Sequence, residues 1–525
     1  MYDLLIKKAT VVDGTGQASF VADVGVSGDK IVDIAPNIPV KARTVVEAEG
    51  FVLAPGFIDV QNHSDTYWNL FDNPSLDSLL VQGFTSILVG NCGSSLAPLL
   101  SAEALRASQK WHDITGSNIN WTSFADYVQA MQQKAFGCNV GSLVGYSTLR
   151  RGLIGDARRT LQADEAQVLE AALVKSLESG AFGLSTGLAY AHESNVSEVE
   201  LYELAKIVKK YNALLSVHLR SEGAGLAESV EEALEIGQRS GARFKLSHFK
   251  IRGKEHWPVL HEVLQRLELA VHQGLDVSID VYPYDTIWQP LYTYLPKWAT
   301  GAGRAELIQL LSDPVQYRKV VSSLHEVSDQ IKDLVIASAS YKMLATSKRL
   351  SELAAKLNLS SEETLVELLR NGGAEILVFD TCLSSDQVEQ LLAHPMSIVA
   401  SDGGGFPVEH GAQHPDKLVH PRCFGTVARF LTSMRHTKRL GLEESVAKLT
   451  SLPARVWGLA NRGQIAIGNF ADLVLFDPLW ISDKATTTNP YRTSTGVHAV
   501  WVNGKLAVQE DVVQKPLAGQ FLKRS

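Results

Sequence analysis

The chain has 525 residues, a formal net charge of −8, 45% hydrophobic residues and 20% charged residues. It contains no basic run, so its charge argues against nucleic acid and anionic membrane surfaces as partners. The four cysteines are sparse, no apolar run approaches the ~18 residues that span a bilayer, and the first residues lack the apolar core of a signal peptide, so we expect a cytoplasmic enzyme.

Both ends of the chain are patterned as short β-strands separated by turn residues. The predicted strands are Asp3–Lys8, Thr10–Asp13, Ala22–Ser27, Lys30–Ile34 and Thr44–Glu47, then Gly463–Ile467, Ala471–Phe476, Val497–Val502 and Lys505–Val508. Gly28-Asp29 and Asn503-Gly504 are typical two-residue hairpin turns. Because chain termini often lie close together, we predict one small β-sandwich built from residues 1–53 and 461–525. Two unrelated β appendages are the alternative.

Between residues 54 and 460 apolar strands alternate with amphipathic helices. The eight predicted strands are Phe57–Val60, Thr85–Val89, Val140–Tyr146, Phe182–Ser185, Leu214–His218, Phe244–His248, Val277–Val281 and Ile398–Ser401. Eight βα units predict an α/β fold of the (β/α)8 TIM-barrel type, whose catalytic residues lie at the carboxyl ends of the strands. Residues 288–373 form a helical surplus that is too long for a loop, so we predict an inserted helical subdomain or lid before the last barrel strand.

Four of these strands end in a residue that can bind a metal ion. Cys92 follows the second strand, His218 and His248 end the fifth and sixth, and Asp402 follows the eighth. Each residue alone is ordinary, since a buried cysteine or histidine is usually structural. Together at one end of a barrel they predict one site, and a mixed sulfur, nitrogen and oxygen set favours zinc. An aspartate beside such a centre can accept the proton of the attacking water.

Several short motifs resemble those of the N-acyl-D-amino-acid deacylase (D-aminoacylase) family of the amidohydrolase superfamily. The motifs are Pro55-Gly-Phe-Ile-Asp59, Gly90-Asn-Cys-Gly93, Ser185-Thr-Gly-Leu188, His218-Leu-Arg220, Ser247-His-Phe-Lys250, Tyr282-Pro-Tyr284, Ser401-Asp-Gly403 and His420-Pro-Arg422, with Ser451-Leu-Pro-Ala-Arg455 and Ala471-Asp-Leu-Val-Leu-Phe-Asp477 near the carboxyl terminus. The resemblance covers almost the whole chain. It implies zinc-dependent hydrolysis of N-acyl-D-amino acids to a carboxylate and the free D-amino acid.

The same resemblance assigns roles to individual residues. It implies that Cys92, His218 and His248 bind zinc tightly and that Asp402 is the catalytic aspartate. The contacts to the substrate carboxylate would fall on Lys250, Tyr282 and Arg422, with Tyr190 nearby. A guanidinium together with an ammonium group is a suitable clamp for a carboxylate.

One position departs from the family pattern. The family carries His-x-His after the first barrel strand, whereas this chain has Gln61-Asn62-His63. A glutamine amide oxygen is a much weaker zinc ligand than imidazole, and His63 with Asp402 makes a poor second site. We therefore expect one tightly bound zinc ion, with His63 as the remaining ligand of any second site.

Some alternatives stay open at this level. A related amidohydrolase acting on a cyclic amide or another N-acyl compound fits the same motifs, and so does a catalytically silent barrel that acts as a binding protein. The preferred side chain, the acyl group and assembly into a homo-oligomer are not fixed by the pattern. His410, His414 and His420 share a loop rich in proline and glycine, which predicts a solvated loop rather than another metal site.

Overall fold

The computed structural model describes residues 1–101, 104, 119–157, 159–190, 192–300, 304–338, 346–373, 376–413 and 417–524. The strands in chain order are β1 Tyr2–Val11, β2 Phe20–Ser27, β3 Lys30–Ala35, β4 Ala42–Glu47, β5 Val52–Pro55, β6 Phe57–Asp59, β7 Phe84–Val89, β8 Asn139–Ser142, β9 Val144–Gly145, β10 Gly183–Gly187, β11 Leu214–His218, β12 Phe244–Leu246, β13 Val277–Val281, β14 Ile287–Pro290, β15 Val335–Ser338, β16 Leu377–Asp380, β17 Ser397–Val399, β18 Leu473–Phe476, β19 Val497–Val502, β20 Lys505–Gln509 and β21 Val512–Val513.

The helices lie mainly between these strands. The α-helices of the described residues are α1 Asn69–Asp72, α2 Asp77–Leu80, α3 Phe124–Gln132, α4 Tyr146–Ile154, α5 Ala163–Glu178, α6 Glu198–Lys210, α7 Leu226–Ser240, α8 Leu260–His272, α9 Arg304–Ser312, α10 Pro314–Leu324, α11 Ser328–Ile331, α12 Leu350–Leu357, α13 Ser361–Gly372, α14 Ser385–Ala393, α15 His410–Gln413, α16 Arg422–Thr437, α17 Leu442–Leu449 and α18 Ser451–Trp457. Within the described ranges, none of them is long and apolar enough to cross a membrane.

The middle of the chain forms a barrel of parallel strands. One sheet has the order β6-β7-β8 and a second has the order β9-β10-β11-β12-β13-β17, and only Leu143 separates β8 from β9. The circle closes between β17 and β6, where the Ser401 amide donates to Asp59 Oδ1 at 3.0 Å and the His63 amide donates to the Gly403 carbonyl at 2.8 Å. The eight predicted strand positions are confirmed. The prediction that one strand continues to Tyr146 is wrong, because Tyr146 begins helix α4.

Strands from both chain ends pair in one nine-stranded sheet. Its order is β21-β20-β19-β18-β5-β1-β2-β3, with β4 paired to β1. β1 is a single strand across both predicted segments and is interrupted by an irregularity at Lys8, where φ is 57°. The predicted strand Gly463–Ile467 is wrong, since the left-handed backbone of Gly463 (φ 80°) turns the chain out of the sheet.

Residues between β13 and β17 form a separate group of helices and strands. β14, β15 and β16 make a three-stranded antiparallel sheet, and helices α9 to α13 share one hydrophobic cluster with β15 and β16. Their buried leucines, including Leu291, Leu311 and Leu365, belong to a hydrophobic cluster distinct from the barrel core. β14 also lines the cavity at the carboxyl end of the barrel.

Asp59 supplies a test of barrel closure. Its buried carboxylate accepts hydrogen bonds from the amides of Gln61 and Ser401, from the Asn62 side chain and from the Ser401 hydroxyl. Asp59→Asn replaces an acceptor by an N–H group that faces these donors. We expect a loss of about 1–3 kcal/mol of stability, measured as a lower midpoint of thermal unfolding. Asp329→Asn, at a fully exposed helical position, is the control, and equal midpoints for the two variants would refute this role of Asp59.

Candidate active site

The predicted site residues meet in one cavity at the carboxyl ends of the barrel strands. The cavity has a volume of about 210 Å³. Its lining includes all of the predicted site residues: His63, Cys92, Tyr190, His218, His248, Lys250, Tyr282, Asp402 and Arg422. The lining also includes the four residues of strand β14: Ile287, Trp288, Gln289 and Pro290.

Three of these residues form a compact set of metal ligands. One ligand atom each from Cys92, His218 and His248 lies within 4.8 Å of the other two. Cys92 Sγ is 3.3 Å from His248 Nε2, which is 3.1 Å from His218 Nδ1. In a tetrahedral site with Zn–S near 2.3 Å and Zn–N near 2.0–2.1 Å, neighbouring ligand atoms lie about 3.3–3.6 Å apart. The donor set and its spacing therefore fit one zinc ion.

Electrostatics keep the sulfur ligand in its binding form. Burial alone would raise the pKa of Cys92, but the neighbouring His248 holds that pKa well below its usual range. Burial and the proximity of His248 lower the pKa of His218. A thiolate and a neutral imidazole are the forms that bind a metal ion. Although burial and Lys250 act against it, Cys92 and Asp402 raise the pKa of His248 to about 10, so this ring must release its proton when a metal ion binds.

The backbone is strained at three residues that follow or end barrel strands. Cys92, His248 and Asp402 have φ values of 52°, 37° and 50°, in the left-handed region that non-glycine residues rarely adopt. In each case the turn directs the side chain into the cavity. Strain of this kind is typical of functional sites and could not be read from the sequence.

Gln61 lies beside Cys92 and directs its amide nitrogen, not its oxygen, toward the sulfur. The Gln61 side-chain Nε2 donates to Cys92 Sγ at 3.1 Å, and Gln61 Oε1 accepts from Lys245 Nζ at 2.7 Å. Because an ammonium group has only donors, it fixes this orientation of the amide. Lys245 is fully buried and forms an ion pair with Asp280, whose Oδ1 accepts from the His248 amide at 2.7 Å.

Lys245 and Asp280 were missed by the sequence reasoning. The available signal was a charged residue inside each of two apolar strands, Phe244–Leu246 and Val277–Val281. A lysine and an aspartate that point into a barrel are expected to form an ion pair, because an unpaired charge in a low-dielectric interior is costly.

Asp402 lies between two other predicted site residues, His63 and Arg422. His63 Nε2 is 3.1 Å from Asp402 Oδ1, and Arg422 Nη1 is 2.8 Å from Asp402 Oδ2. Although burial alone would raise its pKa, Arg422 holds the pKa of Asp402 well below its usual range. Asp402 is therefore an ionised carboxylate that can accept a proton. Arg422 begins helix α16, is 4% exposed and lines the cavity.

Lys250 shares a carboxylate with a metal ligand. Its Nζ lies 2.5 Å from Glu222 Oε1, and His248 Nδ1 lies 3.1 Å from the same oxygen. Burial alone would raise the pKa of Glu222, but Lys250 keeps that pKa well below its usual range. Sequence reasoning missed Glu222, although its place four residues after His218 brings it back to the same strand end.

The two predicted tyrosines occupy different walls of the cavity. The guanidinium of Arg422 lies 4.8 Å from the Tyr282 ring centroid, and Lys250 Nζ lies 5.8 Å from it. Tyr282 Oη is buried and has no hydrogen-bond partner among the described residues. The Tyr190 ring lies 5.1 Å from that of His218, and burial raises the pKa of both tyrosines well above the usual value.

The histidine-rich loop is not uniformly solvated. His420 is fully buried, its Nδ1 accepts from the Arg422 amide at 3.0 Å, and its Nε2 donates to the Thr286 carbonyl at 3.0 Å. The prediction of a solvated residue is wrong for His420, because its ring fixes the start of helix α16 beside Asp402. His410 begins helix α15, and His414 lies outside the described residues.

Comparisons with known proteins agree with this geometry. A model of the amidohydrolase family matches residues 349–508. The D-aminoacylase of Alcaligenes xylosoxydans xylosoxydans is 31% identical, over 100% of this chain and 98% of the relative. A solved D-aminoacylase, described as having a binuclear metal centre with one-metal activation and second-metal attenuation, aligns with a TM-score of 0.83 and 29% identity over 100% of both chains.

The chain belongs to the D-aminoacylase family of amidohydrolases. It is therefore a metal-dependent amidohydrolase with a TIM-type barrel, and the resemblance read from its motifs is confirmed. A further D-aminoacylase-like structure is the N-acyl-D-glutamate deacylase of Bordetella bronchiseptica, complexed with zinc and a phosphonate inhibitor. It aligns with a TM-score of 0.82 and 29% identity over 99% of both chains.

The metal site can be tested with two cysteine variants. Cys92→Ser replaces a thiolate by a hydroxyl that stays protonated, so we expect zinc affinity to fall by at least about 100-fold, measured by elemental analysis after dialysis. Cys423→Ser is the matched control, since Cys423 is also buried but lies outside the ligand cluster, and burial raises its pKa to about 12. Full zinc content in Cys92→Ser would contradict the assignment.

Proposed function

We propose that the chain hydrolyses the amide bond of N-acyl-D-amino acids to a carboxylate and a free D-amino acid, with zinc as its metal. The observation that carries this proposal is the cluster of Cys92, His218 and His248 beside the ionised Asp402 and the cations Lys250 and Arg422. D-aminoacylase and N-acyl-D-glutamate deacylase relatives support the substrate class, and the zinc complex of one of them supports the metal.

In this proposal Cys92, His218 and His248 hold the zinc ion. When bound, zinc supplies Lewis-acid activation of the amide carbonyl and of water. Asp402 takes one proton from the attacking water as the new carbon–oxygen bond forms. The same carboxyl group then donates that proton to the amide nitrogen, so that the carbon–nitrogen bond breaks and a free amine leaves. The low pKa of Asp402 keeps the carboxylate deprotonated before the reaction.

Substrate capture depends on the groups around Tyr282. We propose that Lys250, Tyr282 and Arg422 contact the α-carboxylate of the substrate. Tyr190, beside His218, is the fourth substrate-binding residue. Tyr282 Oη is the member of this set with no partner among the described residues, so it has a free donor for a carboxylate. Lys250 and Arg422 also hold Glu222 and Asp402, which fixes their charged groups before substrate arrives.

The proposal includes one tightly bound zinc ion per chain. His63 remains as a nitrogen ligand near Cys92, with His63 Nε2 3.9 Å from Cys92 Sγ, but Gln61 gives its only oxygen to Lys245. A second ion would find His63 and Asp402 without the second histidine of the family pattern.

We also propose the division of the chain read from the sequence. Residues 1–53 and 461–525 form a β-sandwich, residues 54–460 form the barrel, and residues 288–373 are an inserted helical subdomain or lid. Pairing of β5 with β18 supports the first unit, and the separate leucine cluster supports the third. We further propose a cytoplasmic location and a small N-acyl amino acid as the partner.

A screen of N-acetyl-D- and N-acetyl-L-amino acids tests the function directly. We expect release of the D-amino acid from D substrates and little release from L substrates. A cyclic amide without a free carboxylate is the competing substrate class, and faster hydrolysis of such a compound would replace the proposal.

Asp402→Asn tests the proton transfer. The variant keeps the size of the side chain and an oxygen for Arg422, but it cannot accept a proton. We expect kcat to fall by at least about 100-fold while zinc content stays unchanged, because the three zinc ligands are intact. Turnover near that of the original protein would rule out Asp402 as the proton carrier.

Tyr282→Phe tests the carboxylate contact. A hydroxyl bonded to a charged group contributes about 1.5–3 kcal/mol, so KM for an N-acetyl-D-amino acid should rise about 10- to 100-fold. The corresponding N-acetyl-D-amino acid amide, which lacks the charge, should be nearly indifferent to the change. The control is Tyr284→Phe, since Tyr284 donates to Asp483 and lies outside the cavity. Equal effects on acid and amide substrates would refute the contact.

A further inference from the structure

Cys92 Sγ accepts a hydrogen bond from Gln61, the residue that stands in this chain where the family pattern has the first histidine of His-x-His. Gln61 Nε2 donates to Cys92 Sγ at 3.1 Å, and the rest of the Gln61 amide is held by Lys245. Both side chains are fully buried, so no solvent competes for these contacts.

The same network reaches a second zinc ligand. Lys245 pairs with Asp280, and Asp280 Oδ1 accepts from the His248 amide at 2.7 Å, at the residue whose φ is 37°. A single chain of contacts, Gln61 to Lys245 to Asp280, therefore connects Cys92 with the strained backbone of His248. Lys245 Nζ also donates to Ser247 Oγ at 3.2 Å, which completes its three donors.

We propose that Gln61 and Lys245 are positioning residues that make this site a one-metal centre. Lys245 withdraws the only oxygen of Gln61 from the metal-binding face and turns its N–H group toward Cys92. With its oxygen on Lys245 and its N–H group on Cys92, Gln61 has no acceptor atom left to offer a second ion. This inference rests on the proposed zinc site, but its test needs no substrate.

Two near-isosteric variants separate the two parts of the proposal. Gln61→Met removes the hydrogen bond to Cys92 and adds no ligand. We expect zinc affinity to fall about 10- to 100-fold, as for other residues that orient metal ligands, and the cobalt–thiolate absorption band of the cobalt-substituted protein to shift to lower energy. Gln61→Glu keeps one oxygen on Lys245 and turns the other toward Cys92, so we expect it to retain two metal ions per chain.

The unaltered protein should retain one ion per chain after exposure to excess zinc and desalting, measured by elemental analysis. Gln82→Met is the matched control, because Gln82 is also buried and donates to two carbonyl groups away from the cavity; it should leave affinity, band and metal count unchanged. Two ions held by the unaltered protein would overturn the proposal. An unshifted band with unchanged affinity in Gln61→Met would overturn it as well. Loss of zinc in Cys92→Ser but not in Gln61→Met would leave the proposed function standing while this inference fails.

Arg252 is a cation of the cavity to which the proposed mechanism gives no role. Arg252 lines the cavity two residues after Lys250, yet in the described ranges it has no carboxylate within 4.0 Å and its buried Nε has no hydrogen-bond partner. Lys250 and Arg422, by contrast, each have a carboxylate partner at 2.5 Å and 2.8 Å. The side chain of Arg252 meets the neutral thiol of Cys382, and Glu222 and Asp380 attract it only at longer range.

The same cavity also offers donors without acceptors. Gln289 Nε2 and Trp288 Nε1 are buried in β14, line the same cavity and lack a partner among the residues that the structure describes. Buried donors without partners are costly, and a ligand with acceptor oxygens would satisfy them. The α-carboxylate already has its own contacts at Lys250, Tyr282 and Arg422.

We infer that Arg252 and Gln289 form a subsite for a second carboxylate of the substrate. That carboxylate belongs either to an acidic D-amino acid side chain or to a dicarboxylic acyl group. Two matched pairs distinguish the sources: N-acetyl-D-glutamate against N-acetyl-D-glutamine, and N-succinyl-D-alanine against N-butanoyl-D-alanine. The inference deepens the proposed function and keeps its reaction.

For one of these pairs we expect kcat/KM of the acid member to exceed that of the neutral member about 10- to 100-fold, mainly through KM. Arg252→Met should abolish this preference and leave the neutral member unaffected, whereas Arg266→Met, at an exposed helical arginine, should change neither. Calorimetric binding of the preferred acid to Asp402→Asn, with and without Arg252→Met, tests the subsite without turnover. No preference in either pair, or a preference that survives Arg252→Met, would overturn the subsite. Absence of hydrolysis of all four compounds, with Arg252-dependent binding intact, would instead overturn the proposed reaction.

Discussion

The left-handed backbone at Cys92, His248 and Asp402 is the constraint on which the site depends. The turn at each of these residues directs its side chain into the cavity. Each such residue costs about 1–3 kcal/mol of strain. Local contacts hold these turns: the Gly90 amide, just before Cys92, donates to Asp65 at 2.9 Å, and the His248 amide donates to Asp280.

Three buried ion pairs surround the metal ligands, and each pair also contacts a further residue of the site. Lys245–Asp280 orients Gln61 and the His248 backbone, Lys250–Glu222 meets the outer nitrogen of His248, and Arg422–Asp402 meets His63. Breaking a buried pair leaves an uncompensated charge and is strongly destabilising. The site is therefore held as one electrostatic unit, in which a change at one carboxylate reaches a metal ligand.

Much of this site could be predicted from the sequence because its residues follow apolar strands. Cys92, His218, His248 and Asp402 each mark a strand end, and the barrel places strand ends together. Lys245 and Asp280 could not be predicted in this way, since their roles arise from contacts across the barrel that have no sequence period. Arg252 and His420 were also beyond sequence reasoning, because both lie on irregular segments whose burial depends on the inserted residues and on helix α16. Near the carboxyl terminus, the hydrophobic pattern favoured a strand at Gly463–Ile467, but the left-handed backbone of Gly463 is incompatible with that strand.

The sheet shared by the two chain ends sets an order of events during synthesis. β5 leads directly into the first barrel strand, but its antiparallel partner β18 lies about 420 residues later in the chain. At translation rates of about 5–20 residues per second, roughly 20–80 s pass before β18 leaves the ribosome. During that interval the edge of β5 that later pairs with β18 is unpaired, while the barrel strands that follow β5 are being made. A factor that shields strand edges has this period in which to act, and a chain released before β18 carries an open edge into the cell.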